Sequence, residues 1–418
     1  MKVKFITLGC KTNYYESQAM SELFRQKGYI IADKNEVADI YVINTCTVTG
    51  TGAQKSRQHI RKAKKENPSA IIAVTGCYAQ TEPETVATLE GVDVVIGTNG
   101  KKQIVEHIEK AINGEKVLHL EDMTYCREYE ELCITNEQSR IRATIKIQDG
   151  CDNFCTYCII PYARGRVRSR KLENVISEVK KLAAAGYPEI VLTGIHLDSY
   201  GKDFDFKYKL IDVIEEVSKI SGIKRIRLGS LEPVVITEDF VLRAKKLDNF
   251  CPHFHLSLQS GCDETLKRMN RHYTTGDYEK AVKLLKENFA DVAITTDIMV
   301  GFPGETEEEF SLSYNFCKKI EFMQMHVFKY SKRKGTKAAV MENQIPEGIK
   351  DIRSEKMLNL SKEMREKFYN KYKGKKYAVL IEEKKKGNLY HGTLPNYLDV
   401  YVKSDTDISN KIVETVIE

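Results

Sequence analysis

The sequence predicts an α/β fold in three parts: an N-terminal domain built on a parallel sheet, a central partial (β/α)6 barrel, and a small antiparallel β-barrel at the C-terminal end. Three observations carry that prediction. Short apolar runs alternate with helix-period stretches before residue 115, and again between residues 141 and 345. From residue 372 the pattern changes to short strands separated by turn residues. Cysteines stand just past strand ends in both alternating parts, where an open α/β sheet binds its ligands.

In the first part, 1–115, apolar runs at 3–8, 40–43, 70–74 and 92–96 read as strands, with helices at 16–27, 53–66 and 84–90. A charged, weakly periodic linker is expected over 116–140. The core, 141–345, carries expected strands at 144–147, 190–193, 225–228, 254–258, 294–300 and 325–330, and helical patterns at 172–185, 210–220 and 278–288. In such a barrel the chemistry belongs at the C-terminal ends of the strands. A connecting helix over 346–371 leads to the last domain, 372–418, with strands at 376–381, 389–393, 398–403 and 412–417.

At 418 residues, 30% charged and 42% hydrophobic, the chain has the balance of a globular protein and the length for several cores. No apolar run approaches a membrane span, and the opening Met1-Lys-Val-Lys-Phe-Ile-Thr-Leu-Gly-Cys10 reads as a first strand rather than a signal peptide. The expected compartment is the cytoplasm. There, eleven cysteines do not make a disulfide framework, and metal or cluster ligation is the better account. The net charge of +6 is too small to predict a nucleic-acid partner by itself. Basic residues gather, however, at 55–65, 164–171, 329–337 and 371–386, and together these favour a polyanion.

Cys151-Asp-Asn-Phe-Cys155-Thr-Tyr-Cys158 places three thiols in eight residues. A 4Fe-4S cluster takes one external ligand per iron, so three cysteines hold three corners and leave one iron open to a substrate or cofactor. Structural zinc is the alternative, but it closes with four ligands and no fourth Cys or His lies nearby in sequence. Cys10, Cys46 and Cys77, in Leu8-Gly-Cys10, Asn44-Thr-Cys46 and Thr75-Gly-Cys77, converge on one rim of the first sheet. They read either as a second three-thiol cluster or as small buried core thiols. Cys126, Cys133, Cys251, Cys262 and Cys317 lack ligand spacing and are read as non-ligands.

The 151–158 segment, with Tyr157 before its last cysteine, resembles the radical S-adenosylmethionine superfamily, in which one electron cleaves the cofactor to methionine and a 5′-deoxyadenosyl radical. With Thr7-Leu-Gly-Cys-Lys-Thr-Asn13, Asn44-Thr-Cys-Thr47 and Gly76-Cys-Tyr-Ala-Gln80 added, essentially the whole chain resembles the methylthiotransferases. That resemblance implies a radical-SAM core, two 4Fe-4S clusters, S-adenosylmethionine as cofactor, and a TRAM domain at the C-terminus that engages the substrate. Branches of the family differ in substrate. Leu8-Gly-Cys-Lys-Thr-Asn13, Tyr15-Glu-Ser17, the run 148–165, Leu192-Thr-Gly-Ile-His-Leu197 and Leu231-Glu-Pro233 are similar to the branch that acts on threonylcarbamoyladenosine in tRNA. The isopentenyl branch usually has Gln-Met between that Cys and Asn, and the ribosomal branch Pro-Lys. Two departures stand out: Gly229 where a Ser is common, and Leu394-Pro395 before Asn396-Tyr397 in the TRAM segment. The implied reaction converts N6-threonylcarbamoyladenosine next to the anticodon to its 2-methylthio derivative; isopentenyladenosine in tRNA or a ribosomal-protein aspartate is the alternative substrate.

The resemblance also implies residue roles. It places Tyr157 near the adenine of the cofactor, Thr193 and Gly194 near the methionyl amine, Ser230 and Glu232 on the sugar side, and Gln259 and Arg271 by the methionyl carboxylate or sulfonium. Gly301 opens Gly301-Phe302-Pro303-Gly304, where backbone approaches the adenine; glycines after strands are also ordinary turn residues. No side-chain acid or base replaces an unactivated C2–H, so no catalytic residue is expected beyond the two clusters. Arg164, Arg166, Arg168 and Arg170 alternate, and if extended they point to one side, suiting a phosphate or the threonyl carboxylate. Lys384, Lys385 and Lys386, with Tyr377, Tyr390, Tyr397 and Tyr401, suit a basic stacking surface for RNA, although such tyrosines are also ordinary strand residues. Expected partners are tRNA at its anticodon stem-loop, a low-potential electron donor and a sulfur donor, with no membrane and a monomeric enzyme. The rival class is a cluster-based sensor, for which a complete radical core is superfluous.

Overall fold

The computed structural model describes residues 1–47, 50–135 and 141–417. The N-terminal domain is a six-stranded parallel sheet in the order Ile30–Ile31, Lys2–Thr7, Ile40–Thr45, Ile71–Gly76, Val94–Ile96, Val117–His119. Ile40–Thr45 is buried along its whole length, as a near-continuous apolar run in a parallel sheet should be. Its alternate residues serve opposite faces: Ile40 and Val42 pack with Met20, Phe24, Ile104 and Ile108, whereas Tyr41 and Ile43 pack with Ile60 and Ala63. The expected linker is corrected at its start, because Val117–His119 pairs with Val94–Ile96 as the last strand of this sheet. Residues 136–140, the end of that linker, and residue 418 of the C-terminal domain lie outside the described residues.

The six core strands are Arg142–Lys146, Glu189–Thr193, Arg225–Leu228, His253–Leu256, Ala293–Val300 and Gln324–Lys329. The first three form one parallel sheet and the last three, with Ser230–Leu231 at the edge, form another; a parallel bridge between Ile226 and Phe250 joins the two. Outward residues such as Ile145, Ile190, Leu192, Ile226, Phe254 and Leu256 share one core with Val175, Val179, Leu182, Ile211 and Ile214 of the covering helices. By the same alternation the inward residues, among them Arg142, Lys146, Glu189, Arg225 and Arg227, are polar.

After the helix Glu347–Asn370, four antiparallel strands run in the order Asp399–Lys403, Leu389–Thr393, Lys376–Lys384, Ile412–Val416. They curl into a half-barrel, with a register shift between Ile381 and Glu383. This domain closes the barrel end where the strands begin. Arg142 pairs with Glu189 at 2.8 Å and with Glu382, and Arg225 donates to the carbonyls of Thr393 and Ala378, each at 2.9 Å. Arg227 donates to the carbonyl of Pro395 at 3.0 Å, and the Tyr397 ring stands 4.4 Å from its guanidinium and 5.0 Å from that of Arg142. The Leu394-Pro395 departure thus has a structural role: it carries Tyr397 under the barrel. Among the described residues no helix is long and apolar enough to cross a membrane.

Candidate cluster and cofactor site

The 151–158 thiols follow the first core strand. Gln148–Asp149 pairs antiparallel with Arg168–Ser169, which ties off the loop carrying the cysteines. Gly150, at φ +72°, makes the entry turn, and a Cβ there would lie 1.8 Å from the carbonyl oxygen of Arg166, so only glycine fits. Arg271 Nη1 donates to Cys155 Sγ at 3.2 Å, and the Asn153 amide donates to Cys151 Sγ at 3.5 Å. Burial, with the neighbouring Cys155 adding to it, pushes the Cys151 and Cys158 thiols up to about 12. Such thiols give up their protons to a cation, and ligation by iron supplies one. The donor set therefore fits a cluster held at three corners.

Beside the thiols stands a buried polar wall centred on Glu232. Its Oε1 accepts from Asn153 at 3.0 Å, lies 2.8 Å from Arg271 Nη2 and 3.2 Å from His196 Nε2, and its backbone amide donates to Asp198 at 2.8 Å. Burial alone would raise the Glu232 carboxyl, but the bond from His196 and the charge of Arg271 outweigh it and hold the carboxyl below its ordinary value. Asp198 goes the other way: burial, reinforced by the charge of Glu232, pushes it up to about 7. Two carboxyls on one wall are thereby shifted in opposite directions.

The second trio lies on the facing domain. Cys10 precedes the helix Lys11–Gln26, and Gly9 brings that turn against Cys46, whose Sγ would lie 3.1 Å from a Cβ at residue 9. Cys77 opens the helix Cys77–Thr81 directly after the strand Ile71–Gly76, a turn that Gly76 permits at φ +95°. Burial, with the charges of Cys10 and Cys46 adding, pushes the Cys77 thiol up to about 11, while Arg164 pulls it down. The helix Cys77–Thr81 packs on the helix Ile160–Arg164 that follows Cys158. Thr98 fixes the contact through a 2.6 Å hydrogen bond to the carbonyl of Ala163. The two trios thus approach each other across this seam.

Comparison with known proteins decides what this arrangement belongs to. Residues 2–97 match the model of the uncharacterized protein family UPF0004, and residues 145–317 match the radical SAM superfamily. A threonylcarbamoyladenosine tRNA methylthiotransferase, MtaB, from Bacillus subtilis is 43% identical over 99% of this chain and 93% of its own length. The protein of the same name from Aquifex aeolicus is 40% identical over 96% of each. The chain belongs to the radical SAM methylthiotransferases. A tRNA-2-methylthio-N(6)-dimethylallyladenosine synthase from Clostridium tetani is also similar, at 38% identity over 91% of this chain and 85% of its own. Among solved structures, the radical S-adenosylmethionine methyltransferase TsrM from Kitasatospora setae shares the fold, with a TM-score of 0.60 at 15% identity over 81% of this chain and 77% of that one. The family brings a 4Fe-4S cluster and S-adenosylmethionine to the core.

In this methylthiotransferase the alternating arginines are not the common face expected of an extended run. The helix Ile160–Arg164 and the two-residue strand Arg168–Ser169 break the extension, and three of the four guanidiniums are buried in ion pairs. Arg164 meets Glu16 at 2.8 Å, Asp149 at 3.1 Å and Asn13 Oδ1 at 2.8 Å. Lys146 joins the same knot, 2.9 Å from both Glu16 and Asp149, and Lys101 lies 3.5 Å from Glu16. Arg168 lies 3.7 Å from Asp149, and Arg170 pairs with Glu131 at 2.8 Å and with Glu178. Only Arg166 of the four remains half-exposed, 3.5 Å from Asp152 and over the Phe154 ring.

The remaining expected residues fall as follows. Tyr157 faces Phe302 edge-on, with ring centroids 6.4 Å apart. Thr193 is buried at its strand end, and Gly194 crosses close to Gln148, leaving 2.9 Å for a Cβ. Ser230 is exposed beside His255. Gln259 holds a left-handed φ of +66° because its amide and carbonyl both pair with the strand Ala293–Val300. Gly301 donates its amide to Glu305 at 2.7 Å, and its α-carbon faces Lys350. Lys384, Lys385 and Lys386 are exposed on the last domain, Lys385 pairing with Glu383. Of the four tyrosines expected to stack, Tyr401 is exposed, Tyr390 is in the core, Tyr397 fills the barrel end and Tyr377 donates to Asp291 at 3.1 Å. Sequence reasoning misses Asn153 and Asp198 as site residues and leaves His196 as a bare motif letter. A polar residue two positions from a cysteine ligand, or just past a strand end, is the available signal.

Proposed function

We propose that this protein is a tRNA methylthiotransferase that converts N6-threonylcarbamoyladenosine next to the anticodon to its 2-methylthio derivative. The observation that supports the reading is the seam, where the helix opened by Cys77 packs on the helix that follows Cys158. A carbon–hydrogen bond as unreactive as adenine C2–H is broken by hydrogen-atom abstraction, and replacing that hydrogen also needs a methylthio source close by. When bound, the core cluster and S-adenosylmethionine supply the 5′-deoxyadenosyl radical.

The chain's own residues do the rest. Cys151, Cys155 and Cys158 would hold the core cluster, and Cys10, Cys46 and Cys77 a second one. Glu232, fixed by Asn153, His196 and Arg271, gives the cofactor pocket a charged wall of defined geometry. Tyr157, Thr193, Gly194, Ser230, Gln259 and Gly301 complete that pocket in this reading, with no step assigned to any of them. Arg166 and Lys384–Lys386 are the exposed cations proposed to meet RNA phosphate. A low-potential electron donor and a sulfur source are the implied partners of a monomeric, cytoplasmic enzyme. Arg164, Arg168 and Arg170 are assigned to the domain seam instead.

The test is anaerobic reconstitution followed by incubation with S-adenosylmethionine, reductant, and tRNA bearing either threonylcarbamoyladenosine or isopentenyladenosine, with mass analysis of the nucleosides. A methylthio gain on the threonylcarbamoyl nucleoside alone supports the reading. A gain on the isopentenyl nucleoside alone sinks the substrate assignment. Replacing Cys10, Cys46 and Cys77 by Ala should halve the bound iron.

A further inference from the structure

Three of the four arginines expected to meet the substrate's carboxylate are engaged in buried ion pairs, and among the described residues one further guanidinium has an edge without a hydrogen-bond partner. Arg333 is half-buried, and its Nε and Nη2 are shielded from solvent with no hydrogen-bond partner among the described residues. These two nitrogens form one edge of the guanidinium, with parallel N–H bonds spaced to match the oxygens of a carboxylate. Other arginines with a shielded, unpartnered nitrogen, such as Arg164, Arg268 and Arg353, meet a carboxylate through their remaining nitrogens. Buried donors left without acceptors are uncommon and costly, so an empty edge of this kind points to a missing anion.

Its placement says which anion. Arg333 lies in the loop after the last barrel strand, Gln324–Lys329, at the end of the barrel where the radical thiols stand. Thr336 pins the turn through its amide and hydroxyl, 3.1 and 2.8 Å from the carbonyl oxygen of Arg333. Two residues on, the Ala338 amide donates to the carbonyl of Thr156, between Cys155 and Tyr157, at 2.8 Å. Cys46 and Glu82 of the N-terminal domain lie within electrostatic reach of Arg333. The fork is therefore tied through its turn to the loop of the radical thiols and lies within reach of the second trio.

We propose that Arg333 is the receptor for the carboxylate of the N6-threonylcarbamoyl group, gripping it through the Nε–Nη2 edge while C2 of the same adenine faces the thiol trios. This rests on the substrate reading above. C2 and the carbon that bears N6 flank the same ring nitrogen, so a base presented at C2 carries its N6 substituent close to the same thiols. A neutral isopentenyl group would leave the fork empty, and a site built around a charged hydrogen bond rejects the analogue that lacks it.

The test compares wild type, Arg333→Gln and Arg333→Lys on threonylcarbamoylated tRNA and on the same tRNA carrying the methyl ester of that group. Wild type should prefer the acid, and Arg333→Gln should lose at least about tenfold in kcat/KM on the acid, so that its preference for acid over ester collapses. Arg333→Lys should recover part of the loss, a point charge replacing a planar fork. An unchanged acid-to-ester ratio in Arg333→Gln overturns the proposal. So does an equal loss on both substrates with weaker binding of unmodified tRNA, which assigns the residue to backbone phosphate. A change in iron content or in the low-temperature spectra of the clusters overturns it too, in favour of a cluster-positioning role. Failure of wild type to modify threonylcarbamoylated tRNA at all would remove the substrate reading itself, a distinct result.

Discussion

At the lower end of the central barrel, Arg142, Arg225 and Arg227 converge on Glu189 and on carbonyls and side chains of the C-terminal half-barrel. At the upper end, Glu232 gathers Asn153, His196 and Arg271, and Arg271 reaches on to Cys155. Both ends place a buried carboxylate among cations. At the lower one the C-terminal half-barrel takes up the guanidiniums through its carbonyls and Glu382. The upper one borders thiols that burial holds protonated until a cation takes them up. Buried charge is thus a joint between domains in one place and a neighbour of the thiols in the other.

The sharpest way to break the contrast is to remove a thiol. Cys155→Ala should abolish 5′-deoxyadenosine formation while circular dichroism and the unfolding midpoint stay near wild type, since the upper end is built for chemistry. Glu232→Gln comes next. Like other supports of metal-site groups, it should lower cofactor cleavage about ten- to a hundredfold, read as 5′-deoxyadenosine per cluster at saturating reductant. Glu189→Gln inverts the pattern. It leaves buried guanidiniums without their carboxylate and should cost about 3–5 kcal/mol in denaturant unfolding, with cleavage per folded, cluster-loaded chain unchanged.

Acid should separate the ends as well. Burial alone would raise the Glu189 carboxyl, but Arg227 and Arg142 outweigh it and hold it below the ordinary 4.5. Its contribution to stability is therefore full above the unfolded value and is lost as pH falls through the lower folded one. In Glu189→Gln the acid limb of an unfolding-midpoint titration should be flatter than in wild type; an identical limb would dissociate Glu189 from acid unfolding. The smallest effect on the fold belongs to replacement of Lys384, Lys385 and Lys386 by Ala, which are exposed. The unfolding midpoint should stay put while the slope of log K for tRNA against log salt falls by about 0.7–0.9 for each phosphate left unneutralised.

Much of this is legible in the sequence. Strand period and length place all six core strands, and cysteines just past strand ends mark both trios. What alternation does not convey is what an inward side chain meets. Arg164 to Arg170 look like a substrate face because spacing says nothing of the acids they meet, such as Glu16, a helix residue distant in sequence that pairs with Arg164, or Glu178, which pairs with Arg170. Glu232 is nameable from its motif, whereas Asp198 is raised only by burial beside Glu232. Leu394-Pro395 looks like an interruption until the barrel end it closes is in place, and Arg333 is hidden in a basic run whose other lysines are exposed or held by acids.

The seam of Glu16, Asp149, Lys101, Lys146 and Arg164 has a further consequence for how the molecule works in time. Prising these domains apart would strip several charges of their partners in a dry interface, at a cost no turnover step could sustain. The seam between the thiol trios is accordingly held shut by these ion pairs. On the proposed reading the nucleic acid does the moving, and the target nucleotide leaves its stack to reach the thiols.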